Sequence, residues 1–326
     1  MLRWKTPPLI ALLVLCAGFA LAEAPAPVGS PVVAALVRLT SKTLGGEQFW
    51  ADEFIRSGWR IQRNTFDGHY RLLDANDSRH AVGDYKECRA RYDELSAVTP
   101  RSPPKTKVVV ALHGLFRSRD CMVPLSDYLA EEGDFEVVNV TYPSTRAQVR
   151  EHAASLDKVL SNLEGVEEVS FVAHSLGNVV VRHWIHAHYR PEEASFKLGR
   201  FVMLGPPNNG AQLARTFRQN HVFGFLAGAS GKQLGENWGE LSAELSIPPC
   251  EFGIVAGIAA IPNPLVSGSD DLLVSVEETK LAGAADFRVL PVHHSGIRSR
   301  DAVGEITLHF LQHGAFGSED ERIRLR

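Results

Sequence analysis

The sequence predicts an α/β protein built on a central, mostly parallel β-sheet with helices on both faces. Two observations carry that reading. Short β-branched runs recur after residue 105, such as "KVVVALHG" at 107–114 and "EVSFVAH" at 168–174, apolar at consecutive rather than alternate positions. A strand buried on both faces has this pattern. Between such runs lie segments with apolar residues at helical spacing, and strand–helix–strand alternation implies parallel strands joined by crossover helices.

Taken in order, the pattern places strands at 107–114, 135–143, 168–174, 200–207, 252–261 and 287–292. Pro143 ends the second of these. Helices are expected at 121–132, 147–163, 176–189 and 301–313. The stretch 207–250 is less regular and reads as a lid or cap. Residues 101–326 therefore form the main domain, set off by "RSPPK" at 101–105. Ahead of it, residues 23–100 read as an N-terminal extension packing on that domain. It comprises a Pro/Ala-rich linker, a short helix and two strands, with a hairpin turn at Asp67-Gly68.

The first 22 residues read as a signal peptide: a basic start "MLRWK", an apolar core, and Ala20-Leu21-Ala22 as a cleavage signal. The apolar core is shorter than the ~20 residues of a membrane span. Export to the periplasm or medium follows, and an uncleaved anchor is the alternative. A lipoprotein signal at Cys16 is disfavoured by bulky Leu15. Export leaves Cys88, Cys121 and Cys250 in an oxidising compartment, enough for one disulfide and one leftover thiol.

The chain has 326 residues, 44% hydrophobic and 22% charged, with a formal charge of −4, in the range of globular proteins. No block of Lys or Arg stands out, which argues against a nucleic-acid partner.

The motif that carries chemistry is "VAHSLGN" at 172–178. Ser175 stands between a strand and a helix, with small Ala173 and Gly177 two positions away on either side. A nucleophile elbow needs that spacing, because bulky neighbours would clash with the turning backbone. A helix N-terminus behind the serine also presents N–H groups to developing negative charge. A serine that merely caps the helix is the structural alternative.

With "VVVALHGLFRS", "VTYPSTR", "VAHSLGN" and "LGPPNNGA" on view, the sequence from about Lys107 onward resembles the α/β-hydrolases of the lipase/esterase type. The resemblance implies the chain order Ser, then acid, then His. "VLPVHHSGI" supplies His294, followed by small Ser295 as in the family, with His293 as its neighbour. "SGSDDLLVSV" is similar to the family pattern D-G-x-V-S-V, which makes Asp271 the acid, with Leu272 where the family has glycine. That departure keeps Asp270 as the alternative acid. The oxyanion hole falls on the N–H groups of Leu176 and Leu115, with Phe116 as fallback, and His113-Gly114 shapes the loop.

The expected activity is hydrolysis of carboxylic esters, lipid esters included, through an acyl-enzyme, with no cofactor and no metal. An acyltransferase or thioesterase with the same triad is an alternative, as is a binding protein on the same scaffold. The partner is a small-molecule or lipid ester, with transient contact to a membrane surface. His183, His186 and His188 are expected to be ordinary helix histidines. Arg117, Arg119 and Arg146 fall in loops where an anionic headgroup could bind.

Overall fold

A computed structural model describes residues 47–98, 105–216, 221–261 and 263–326. The expected signal peptide and linker lie outside the described residues.

Six strands form the central sheet: β5 (Lys107–Leu112), β6 (Glu136–Val140), β7 (Glu168–His174), β8 (Lys197–Leu204), β9 (Phe252–Gly257) and β10 (Asp286–Leu290). Their order across the sheet is β10-β9-β8-β7-β5-β6, and every pairing is parallel. Strand residues alternate between two apolar layers. Val108, Val110 and Leu112 face one layer with Leu156 and Trp184, while Val109 and Ala111 face the other with Leu129 and Phe310. Burial on both faces is why these strands read as unbroken apolar runs. The first layer takes α3 (Val149–Ser161) and α4 (Leu176–Ala187); the second takes α2 (Val123–Glu132) and α9 (Arg300–His313).

The strand order fixes where a site can be. The chain leaves β5 for β6 on one side, then crosses back so that β7 pairs with β5 on the other. At such a switch point the connections after the two central strands diverge and leave a crevice at their carboxyl ends. The loop after β5 and the turn after β7 both open there.

Residues 47–97 differ from expectation. The short helix is one 3₁₀ turn (Glu47–Phe49), and there are four antiparallel strands rather than two: β1 (Trp50–Arg56), β2 (Trp59–Asn64), β3 (Tyr70–Leu73) and β4 (Arg79–Gly83). The turn at Asp67-Gly68 does connect two of them, β2 and β3. Strand β1 hid because, though buried from Trp50 to Ile55, it carries Asp52 and Glu53 where an apolar run would show. Helix α1 (Tyr85–Ala97) packs Cys88 and Tyr92 onto Phe54, Ile61 and Leu72. Its sequence signal was the capping box of Asp84 and Glu87, because the helix is otherwise too polar to show an apolar stripe.

Strand β9 ends at Gly257, four residues before the expected Ile261. No disulfide joins Cys88, Cys121 and Cys250 among the described residues, where the sequence allowed one. Cys88 belongs to the core of the N-terminal sheet, and the other two pack against opposite layers of the main sheet. The irregular stretch 207–250 holds α5 (Gln212–Thr216), α6 (His221–Gly235) and α7 (Trp238–Ala243). The remaining short helix, α8 (Val276–Thr279), precedes β10.

Candidate active site

Ser175 sits at φ 52°, ψ −120°, between the last residue of β7 and the first of α4. That is a strained conformation for a residue with a Cβ, costing about 1–3 kcal/mol. It turns the side chain out of the strand. The hydroxyl does not cap α4, so the capping alternative is excluded, and it has no hydrogen-bond partner among the described residues. Gly177 is required for the turn: a Cβ there would lie 2.9 Å from the carbonyl oxygens of Leu112 and His113.

His294 lies on the loop after β10, and Asp271 on the loop between β9 and α8. Their backbones meet first, with His294 N–H donating to Asp271 O at 2.8 Å. The side chains follow, with Nδ1–H donating to Asp271 Oδ2 at 2.6 Å and both groups buried. Asp271 Oδ1 accepts the amides of Leu273 and Val274 at 3.0 and 2.8 Å, which fixes the carboxylate plane. With Nδ1 committed as donor, Nε2 carries the lone pair. Nε2 itself has no partner among the described residues.

The pair packs against the backbone next to Ser175. Ser175 N–H donates to Leu204 O at 2.9 Å, and the next residue, Gly205, takes φ 53°. A Cβ on Gly205 would lie 3.3 Å from the His294 ring and 3.4 Å from Asp271 Oδ2. The imidazole and carboxylate thus rest on the bare backbone that anchors the elbow. Next to the serine, His174 donates from Nε2 to His294 O at 2.9 Å, and the two rings lie 4.7 Å apart. Burial pushes His174 well below its ordinary pKa, so it stays neutral and holds the main chain of the His294 loop.

On the other wall, Gly114 packs against Ser175, where a Cβ would meet Ser175 Cβ at 3.0 Å. Phe116 takes φ 59°, and Arg117 N–H closes the turn onto Gly114 O. The amides of Leu115 and Leu176 donate to no protein acceptor among the described residues. His113 is fully buried and stacked on Tyr142 at 4.1 Å. Burial pushes its pKa down to about 4. Its carbonyl accepts from Tyr142 Oη, so this histidine braces the loop and stays outside the crevice.

Known structures share this arrangement of strands. The mature form of the lipase BlEst2 from Bacillus licheniformis is 16% identical, with a TM-score of 0.53 over 65% of this chain and 96% of that one. The propeptide form of the same lipase gives 17% identity and a TM-score of 0.53, over 69% of this chain and 54% of that one. The chain has the α/β-hydrolase fold. Residues 102–217 also match the family described as "Putative serine esterase (DUF676)", a span that includes Ser175 and ends before Asp271 and His294. No curated protein matches the chain.

Within this fold, Asp270 has a different surrounding from Asp271. It is buried and accepts the amides of Asn263 and Leu272, without touching His294. Leu272 is held at φ 87°. His293 is exposed. His183 donates to Glu244 at 3.1 Å, and no cluster of metal-ligating side chains occurs among the described residues. Arg117 bonds Ser295 Oγ at 3.0 Å, Arg119 pairs with Asp77, and Arg146 lies 5.0 Å over the Phe49 ring. A cavity of about 660 Å³ beside Arg146, Arg150 and Lys232 does not include Ser175 among its lining residues.

Sequence reasoning missed His174 and Gly205. Both stood inside quoted motifs, but their roles are contacts with residues 66 or more positions away, which no local pattern reports.

Proposed function

We propose that the protein is a serine hydrolase that cleaves carboxylic esters, with Ser175 as nucleophile, His294 as base and Asp271 as its orienting acid. The observation that carries the reading is an uncommitted serine hydroxyl on a positive-φ elbow whose anchoring backbone, at Leu204-Gly205, also packs against an imidazole with its Nδ1 taken by a buried carboxylate. A serine alcohol is weakly nucleophilic at neutral pH, and a positioned base raises the rate by about 10²–10⁴.

In the first step Ser175 Oγ bonds to the carbonyl carbon while its proton passes to His294 Nε2. The carbonyl oxygen becomes an oxyanion held by the N–H groups of Leu115 and Leu176, each such donor contributing about 3 kcal/mol to the transition state. Collapse expels the alkoxide, which takes the proton from His294. Water then attacks the acyl-enzyme through the same base, and the acid leaves. Asp271 keeps Nδ1 protonated throughout and stabilises the transient imidazolium.

Exposed apolar side chains at the carboxyl ends of β5 and β9, namely Phe116, Ile258 and Ile261, support an ester with an apolar acyl chain, lipid esters included. Among the described residues no helix is long and apolar enough to cross a membrane. Export through residues 1–22 belongs to the same reading, and the N-terminal sequence of the mature protein checks it.

The deciding experiment is labelling by a fluorophosphonate probe. Labelling in the wild type and none in Ser175→Ala supports the reading, and an unlabelled wild type removes it. Release of free acid from p-nitrophenyl butyrate without an acceptor alcohol separates hydrolysis from acyl transfer.

A further inference from the structure

The four-stranded N-terminal sheet lies outside the span that matches the serine esterase family, yet its contacts converge on the loops that follow β5 and β6. Asp52 of β1 donates its N–H to Thr141 O at 2.9 Å, and its carboxylate accepts Thr141 N–H at 2.6 Å. That carboxylate is fully buried and further held by Arg60 and Gln62 of β2, at 2.6 and 2.8 Å. The sheet is thus pinned beside the end of β6 by groups that would be costly to bury unpaired.

Two residues before β1, Gln48 spans the two loops. Its Oε1 accepts Thr145 N–H, Thr145 Oγ1 and Ser144 Oγ at 3.1, 2.9 and 3.3 Å. Its Nε2 donates to Arg117 O at 3.0 Å. Arg117 closes the turn that contains Leu115 and the positive-φ Phe116. A non-glycine residue in that conformation persists only where surrounding contacts over-determine it. A second tie runs from Asp77, before β4, to Arg119 on the same loop.

We propose that the N-terminal sheet is a positioning element for the oxyanion loop, and that Gln48 is the residue through which it acts. The inference rests on the reading that Leu115 N–H holds the oxyanion. Gln48 touches no substrate. It keeps the Leu115 amide aimed at the place where negative charge develops, and a displacement of about 1 Å there can cost up to 10²-fold in rate.

Gln48→Glu is the selective variant, because it keeps the acceptor for Thr145 and replaces the donor to Arg117 O by a second acceptor. The expected result with p-nitrophenyl butyrate is a kcat about tenfold lower with KM within about twofold of wild type. Affinity for an alkyl trifluoromethyl ketone, which forms a tetrahedral adduct on the serine, falls by the same factor. Asp77→Asn, at the surface, moves kcat and inhibitor affinity in the same direction by about threefold, and carries the test should Gln48→Glu not fold. Unchanged kcat and inhibitor affinity, or a loss of rate with inhibitor affinity intact, overturns the proposal. If fluorophosphonate fails to label the wild-type protein, the ester-hydrolase reading falls and this inference with it. Labelled wild type beside an unaffected Gln48→Glu sinks this inference alone.

Discussion

Asp271 and His294 are joined twice, by a backbone hydrogen bond of 2.8 Å and a side-chain one of 2.6 Å. The double link means the carboxylate sets both the tautomer and the orientation of the ring. Asp270, one residue earlier, accepts loop amides and does not touch His294.

Substitutions at the two aspartates should therefore separate chemistry from stability. Asp271→Asn leaves the shape and lets Nε2 take the proton, so kcat should fall by about 10³–10⁴. Asp270→Asn should leave kcat within a few-fold and destabilise the fold by about 1–3 kcal/mol through weakened amide contacts. Steady-state kinetics and urea unfolding on both variants give the comparison, and the reverse pattern would transfer the acid role to Asp270.

Leu272 pays a backbone penalty at φ 87° that glycine avoids. Leu272→Gly should raise Tm by about 2 °C, corresponding to relief of roughly 1 kcal/mol, with activity retained. A lower Tm would mean that contacts of the leucine side chain outweigh its strain.

Buried neutral histidines link stability to pH. Burial lowers His113 to about 4 and His152 to about 3, from an ordinary 6.5. Between pH 6.5 and 4 the unfolded chain takes up protons at these positions that the native state refuses. The sign is therefore a loss of stability as pH falls: the benefit is present above pH 6.5, and by pH 5 each histidine has removed about 2 kcal/mol of it. The urea midpoint should drop steadily from pH 7 to pH 4.5. A flat profile would show that these groups titrate normally.

Thiol chemistry offers an independent check on Cys88 and Cys250. Burial raises Cys88 to about 11 and Cys250 to about 12, which leaves almost no thiolate at pH 8. In the native protein, iodoacetamide should spare both residues, and dithiothreitol should leave Tm within about 1 °C. A large drop in Tm on reduction would reveal a disulfide.

Much of the central sheet was legible because each strand buries both faces, which writes an unbroken apolar run into the chain. The turn at Ser175 was legible for a similar local reason, since sterics confine its neighbours to small residues. The N-terminal sheet was harder to read. Its first strand buries Asp52 and Glu53 in a hydrogen-bonded network, so polar letters stand where a core strand would show apolar ones.

Periodicity and local sterics thus set the fold class and the elbow from the sequence alone, because both act over a few neighbouring residues. Tertiary structure alone decided that Asp271 and not Asp270 meets His294, that Gln48 reaches the loop after β5, and that the three described cysteines stay apart. Those outcomes depend on where distant segments meet in space, and that is set by packing of the whole chain.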